Sequence, residues 1–121
     1  MIKGAHILWY SKNADADRAF LRDKLGLRAI DIGHGWIIFG MPPAESAVHP
    51  DEDNVGGRDH KMLAAQVYFM CDDIEAEIAE LGKKGVTCAK PSKQPWGIVT
   101  QIAMPSGGEI GLYQPLHPTA I

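Results

Sequence analysis

The chain has 121 residues, of which 45% are hydrophobic and 22% charged, and its formal net charge is −3. These values are typical of one ordinary globular domain, and they exclude disordered, collagen-like and coiled-coil chains. Without a basic excess, nucleic acid is not an expected partner, and without a long apolar run no membrane span is expected. No signal-peptide pattern opens the sequence and it has only two cysteines, so we expect a cytoplasmic protein.

The first half of the sequence predicts a strand, a helix and three more strands. Apolar and aromatic residues at 5–10 predict the first strand. Ser11 and Asn13 are both possible N-caps of the helix, which a glycine at position 26 ends. Residues 28–32 and 36–39 flank a glycine-rich turn and predict a β-hairpin, and residues 44–49 predict another short strand.

The second half repeats this order after a polar loop predicted at 51–62. A strand is predicted at 64–70, followed by a helix with Asp72 as its cap and Glu75 three residues later. Ile74, Ile78 and Leu81 have the spacing of one helix face. Strands are predicted at 86–89, 98–104 and 109–114, with a turn at 94–97 and an irregular segment at 115–121.

Corresponding positions of the two halves lie 60 to 65 residues apart, and His6 and Gln66 mark the shorter spacing. A period of this length within one small domain indicates a duplicated unit. The sequence therefore predicts a single domain over 1–121, with module one at about 1–50 and module two at about 63–121.

Four stretches in this order resemble the vicinal oxygen chelate superfamily, which is also called the glyoxalase, bleomycin resistance protein and extradiol dioxygenase superfamily. They are residues 5–8 with the helix that ends at 24–27, residues 44–50, residues 70–76 and residues 104–112. The resemblance implies an α+β fold of two βαβββ modules whose curled sheets form a cup. It also implies a small-molecule ligand or substrate, and the small size of the chain favours a homodimer.

The resemblance further implies a divalent metal, Fe, Mn, Ni or Zn, held by the first and last strands of each module. The positions that match the ligand positions are His6, Glu45, Gln66 and Gly111. Glu109 and His49 are possible substitute ligands. Gly111 has no side chain to offer, whereas Glu45 can be a metal ligand or a catalytic base.

Two functions stay open at this point. One is a metal-dependent lyase, isomerase or dioxygenase that acts on a substrate with vicinal oxygens. The other is a metal-free protein that binds an aromatic, antibiotic-like compound in the same cup. Tyr68, Trp96 and Tyr113 are the candidate aromatic contacts, and Gly111 is expected to leave room for the ligand.

Overall fold

A computed structural model describes residues 6–50 and 65–121, and the loop predicted at 51–62 lies outside these ranges. The described residues form two helices and six strands. In chain order these are α1 (Ala14–Asp23), β1 (Ala29–Asp31), β2 (Ile37–Phe39), β3 (Tyr68–Met70), α2 (Ile74–Lys83), β4 (Ser92–Gln94), β5 (Gly97–Ala103) and β6 (Glu109–Pro115). The expected α+β class is confirmed.

The strands form two sheets. β1 and β2 make the predicted antiparallel hairpin, with Ile30 opposite Ile38. The second sheet has the order β3-β6-β5-β4, in which β3 runs parallel to β6 and the other pairs are antiparallel. β6 is therefore a central strand, and its side chains alternate between a face that packs on α2 and an opposite face, here called the open face.

Both helices begin at a side-chain cap. The Asn13 side chain accepts a hydrogen bond from the Ala16 N–H at 3.3 Å, and Asp73 does the same for Ala76 at 3.2 Å. The prediction that Asp72 caps α2 was wrong by one residue. A cap must reach the N–H three positions on, and here that donor belongs to the residue that follows Glu75.

The two helices are alike in length and in the spacing of their ends. They have the same length, and their caps lie 60 residues apart in sequence, as do Lys24 and Lys84 just beyond their last turns. The Lys24 ammonium donates to the Lys84 carbonyl at 2.9 Å, and the Lys84 ammonium lies 3.5 Å from the Lys24 carbonyl. Each lysine thus places its positive charge at the negative end of the other helix.

The core lies between α2 and the second sheet. The predicted helix face buries Ile74 and Leu81 against Ile102 and Leu112, with Val86 completing the cluster. Each such side chain contributes about 1.5–3 kcal/mol by leaving water. From α1, Phe20 and Leu25 pack against the same cluster.

Asp17 fixes α1 to the turn between β5 and β6. Its carboxylate accepts a hydrogen bond from the Ser11 hydroxyl at 2.6 Å and another from the Ser106 N–H at 3.0 Å. Because Ser106 is 89 residues further along the chain, this side chain ties the first half to the second.

Three predicted strands are not formed as expected. Residues 6–10 and 44–49 lie outside any strand, and residues 86–89 make only one bridge, between Cys88 and Ile102. An extended segment becomes a strand only where a neighbouring backbone pairs with it. Pro42, Pro43 and Pro50 also deprive the 41–50 segment of N–H donors. Among residues 6–50 only Leu21 is buried.

Within the described ranges, neither helix is long and apolar enough to cross a membrane.

Candidate functional site

Three aromatic side chains meet on the open face, and we call Tyr68, Trp96 and Tyr113 the aromatic cluster. The Tyr113 ring lies between the other two, with ring centroids 6.0 Å from Tyr68 and 5.8 Å from Trp96. The planes cross at 89° and 71°, which are the edge-to-face arrangements that aromatic pairs favour. Trp96 is 48% exposed and Tyr68 39%, so the cluster presents aromatic surface to solvent.

A tight turn places Trp96. Pro95 and Trp96 connect β4 to β5, and the turn predicted at 94–97 is confirmed, although the pairing of β4 itself was not predicted. At Gly97 a Cβ would lie 3.0 Å from Cδ2 of Tyr113 and 2.9 Å from the Gln114 carbonyl oxygen. Glycine therefore lets the Tyr113 ring lie close to the backbone beside Trp96.

Gly111 has a different role from the expected one. It pairs with Tyr68 across β3 and β6, and a Cβ at this position would lie 2.1 Å from Cδ1 of the Tyr68 ring. The expectation that glycine leaves open space for a ligand does not describe this conformation, because the Tyr68 ring fills that space. Lack of a side chain at Gly111 permits the aromatic cluster instead.

Glu45 reaches the cluster from the first half. Its half-buried carboxylate accepts a hydrogen bond from the Ala120 N–H at 2.6 Å. Burial raises the pKa of the Tyr113 phenol, and the nearby negative charge of Glu45 raises that pKa further. Both effects favour the neutral form of the phenol.

His117 adds a polar group that the sequence analysis did not identify. Its Nε2 lies 3.1 Å from the Tyr113 hydroxyl and its Nδ1 lies 2.7 Å from the Pro118 carbonyl oxygen. A carbonyl can only accept, so Nδ1 carries a hydrogen, and in the neutral ring Nε2 accepts from Tyr113. The only sequence signal for this contact is a histidine four residues after Tyr113 in a proline-containing segment.

The other metal-ligand candidates are not brought together with Glu45 into a chelating group. Across residues 6–50 and 65–121, no three His, Cys, Asp or Glu side chains are placed to hold an ion. The Gln66 amide oxygen lies 3.4 Å from the Tyr68 hydroxyl, which donates to it. The other candidates, His6, His49 and Glu109, are exposed. As placed, this donor set does not fit a divalent metal, and we derive no chemical step through one.

Both cysteines have thiols with raised pKa values. Burial, together with the charges of Glu77, Asp72 and Asp73, raises the pKa of the Cys71 thiol to about 11. Burial also raises the pKa of the Cys88 thiol. Thiols with raised pKa are poor nucleophiles at neutral pH because the thiolate is the reactive form.

Comparison with protein families gives one match. The family model of the Glyoxalase/Bleomycin resistance protein/Dioxygenase superfamily matches residues 3–110, which is most of the chain. Among curated proteins, none matches.

Solved structures with the same fold are similar over nearly their full lengths. TnmS3, an antibiotic binding protein from Streptomyces sp. CB03234, has a TM-score of 0.61 and 20% identity, covering 95% of this chain and 99% of its own. Lactoylglutathione lyase from Agrobacterium tumefaciens has a TM-score of 0.61 and 17% identity, covering 93% and 92%. A glyoxalase/bleomycin resistance protein from Streptomyces sp. CB03234 has a TM-score of 0.53 and 22% identity, covering 86% and 92%. At these identities the likeness concerns the fold.

Proposed function

We propose that this chain, which belongs to the Glyoxalase/Bleomycin resistance protein/Dioxygenase superfamily, binds a small aromatic molecule at the aromatic cluster without a metal. The observation that carries the proposal is the edge-to-face group of Tyr68, Tyr113 and Trp96, whose outer rings are partly exposed. The fold is shared both with an antibiotic binding protein and with a lactoylglutathione lyase, so the preference for binding rests on the aromatic cluster and not on the fold.

The physical reason is that exposed rings held by their neighbours are already positioned for a flat ligand. A ligand that stacks on Trp96 covers apolar surface, and the ring loses little freedom because Tyr113 supports it. Glu45 and the Tyr113 hydroxyl supply polar groups at the edge of the cluster, which can orient the ligand.

Tryptophan fluorescence tests this proposal. Flat aromatic compounds are expected to quench the tryptophan fluorescence of the wild-type protein saturably and to lose this effect in Trp96→Phe. The matched control is Trp36→Phe, because Trp36 is also exposed but lies on the β1–β2 hairpin against Arg18, 5.2 Å from the guanidinium carbon. Equal quenching in both variants would refute a site at Trp96.

The alternative function is a metal-dependent enzyme, which would hold one metal ion per chain. The binding proposal predicts the opposite result. Titration with Mn²⁺, Fe²⁺, Ni²⁺ and Zn²⁺ is expected to give no stoichiometric site, because the described ligand candidates do not cluster around Glu45. One metal ion per chain that is lost in His6→Ala would overturn the binding proposal in favour of the enzyme.

We also propose that the protein is a homodimer. Large apolar side chains of the first half are exposed, and they include Leu8 at 66%, Ile32 at 64% and Val48 at 99%. Two copies related by a twofold axis can cover such side chains mutually. Analytical ultracentrifugation is expected to give twice the chain mass of 13.2 kDa.

Variants separate this dimer from nonspecific association. Leu8→Asp is expected to shift the population toward monomer, whereas Ile121→Asp, at an exposed position of the second half, is expected to leave it unchanged. A wild-type protein that stays monomeric at every concentration measured would contradict the proposal.

A further inference from the structure

The segment after β6 folds back across the aromatic cluster, and we call residues 116–121 the strap. Its first contact is the Leu116 N–H, which donates to the Trp96 carbonyl at 2.9 Å. Its last contact is the Ala120 N–H, which donates to Oε2 of Glu45 at 2.6 Å. The strap therefore extends from the turn that carries Trp96 to the carboxylate of the first half.

Between these contacts the strap also engages Tyr113. The His117 ring lies with its centroid 6.1 Å from that of Tyr113, tilted by 31°, and its Nε2 is 3.1 Å from the phenol oxygen. The Nδ1 contact with the Pro118 carbonyl fixes the ring orientation. An aromatic ring of the strap thus covers part of the aromatic cluster.

Hydrogen bonds rather than burial hold the strap in place. Leu116 is 47% exposed and Ile121 59%, so displacing the strap uncovers little of their apolar surface. The bond to Glu45 is the shorter of the two and has a charged acceptor, and it is solvent-exposed and therefore open to exchange. A molecule that supplies a ring and a donor can replace what the strap provides.

We propose that the strap is a built-in competitor for the ligand site, and that the ligand is an aromatic molecule whose edge carries a hydrogen-bond donor for Glu45. The ring of the ligand takes the position of His117 beside Tyr113, and its donor takes the position of the Ala120 N–H. This inference rests on the proposed function, and it defines the ligand class more narrowly: a phenol or an amine on a flat ring system.

A single substitution removes the competing donor. Ala120→Pro has no N–H at this position, and Ala120→Gly is the matched control that keeps it. The probes are 7-hydroxy-4-methylcoumarin, which has a donor, and 7-methoxy-4-methylcoumarin, which has nearly the same shape without one. We expect Ala120→Pro to bind the hydroxyl probe roughly fivefold or more tightly than wild type, since it loses a bond to a charged group. The methoxy probe is expected to bind more weakly than the hydroxyl probe to every variant, and Ala120→Gly is expected to change the affinity of either probe little.

Nuclear magnetic resonance of the Ala120 amide tests the strap without any ligand. In wild type the amide proton bonded to a carboxylate resonates downfield, and Glu45→Gln is expected to move it upfield. An Ala120 amide that does not respond to Glu45→Gln overturns the strap contact itself. Thermal melting of each variant shows whether the fold is retained.

The outcomes separate the two proposals. If the hydroxyl probe binds wild type and Ala120→Pro equally, the competitor role is refuted while aromatic binding stands. If the hydroxyl probe binds only to Ala120→Pro, both proposals are supported. If no coumarin binds any variant, aromatic binding fails for this class, and the competitor role fails with it.

Discussion

The contact between Gly111 and Tyr68 makes the sharpest prediction about this fold. In Gly111→Ala the new methyl carbon would lie 2.1, 2.5 and 2.6 Å from Cδ1, Cε1 and Cγ of Tyr68. Cγ is the ring carbon bonded to Cβ of Tyr68, and it moves little when the ring rotates. The ring therefore cannot avoid the methyl group by a small tilt and has to leave its position. Tyr68 would then lose its edge-to-face contact with Tyr113.

The magnitude follows from two opposing effects. Overpacking of a fitted contact costs about 1–3 kcal/mol. Replacing glycine with alanine stabilises a strand by about 0.5–1 kcal/mol, because glycine loses more backbone entropy on folding. This gain applies at Gly111, which has an ordinary strand conformation. We therefore expect Gly111→Ala to lower the free energy of unfolding by about 1–2 kcal/mol.

A double-mutant cycle measured by equilibrium urea denaturation isolates this contact. In the Tyr68→Ala background the ring is gone, so Gly111→Ala is expected to be neutral or to stabilise the protein by up to about 1 kcal/mol. The coupling free energy between the two positions should then reach about 1.5 kcal/mol or more. If Gly111→Ala costs the same in both backgrounds, the steric explanation is refuted.

Three further predictions concern stability and thiol chemistry. Asp17→Asn is expected to lower the free energy of unfolding by about 1–2 kcal/mol in urea denaturation, because Asp17 ties α1 to the β5–β6 turn. Asp15→Asn is its control, since the side chain of Asp15 is 97% exposed, and an equal loss there would contradict this role for Asp17. Gly82→Ala lies inside α2 with open space around the new methyl, and it is expected to raise the free energy of unfolding by about 0.5–1 kcal/mol and with it the thermal midpoint. A lower midpoint would contradict the open space around this position. Cys71, with a pKa of about 11, is expected to react with iodoacetamide at about pH 8 roughly tenfold more slowly than a thiol of pKa 9, because its thiolate fraction is about 100-fold smaller while its thiolate is more nucleophilic. Because the raised pKa keeps the thiol protonated, its rate should rise with pH up to about 11, and a plateau near pH 9 would contradict the assigned cause.

Local signals in the sequence predicted the helices and the hairpin. Asn13 and the glycine after α1 mark that helix by side-chain and backbone chemistry within a few residues. The turn of the β1–β2 hairpin lies at Gly33, His34 and Gly35, which all have positive φ. Such signals need no knowledge of distant parts of the chain, which is why these elements were predictable.

Elements that depend on distant partners were predicted less well. Residues 6–10 and 44–49 have apolar character that favours strands, but pairing depends on which backbone lies alongside. The candidate site shows the same division. Tyr113 and Trp96 could be chosen from the sequence as candidate aromatic contacts, whereas the Ala120–Glu45 contact spans 75 residues and uses a backbone donor that any residue except proline has.

The sequence also could not show which group lies against Gly111. A missing side chain in a sequence indicates that something comes close, but it does not say whether that is a ligand or another part of the chain. Only the register that places Tyr68 opposite Gly111 decides between them.

The exchange of lysines between the ends of α1 and α2 has the form of an isologous contact, in which two equivalent surfaces give and receive the same groups. Such a contact has the same geometry whether its two helices lie in one chain or in two separate chains. A linker between the halves changes only the effective concentration at which they meet. The joint between α1 and α2 thus has the symmetry of a dimer interface within a single polypeptide. Replacing Lys24 alone would break that symmetry, whereas replacing both lysines would preserve it.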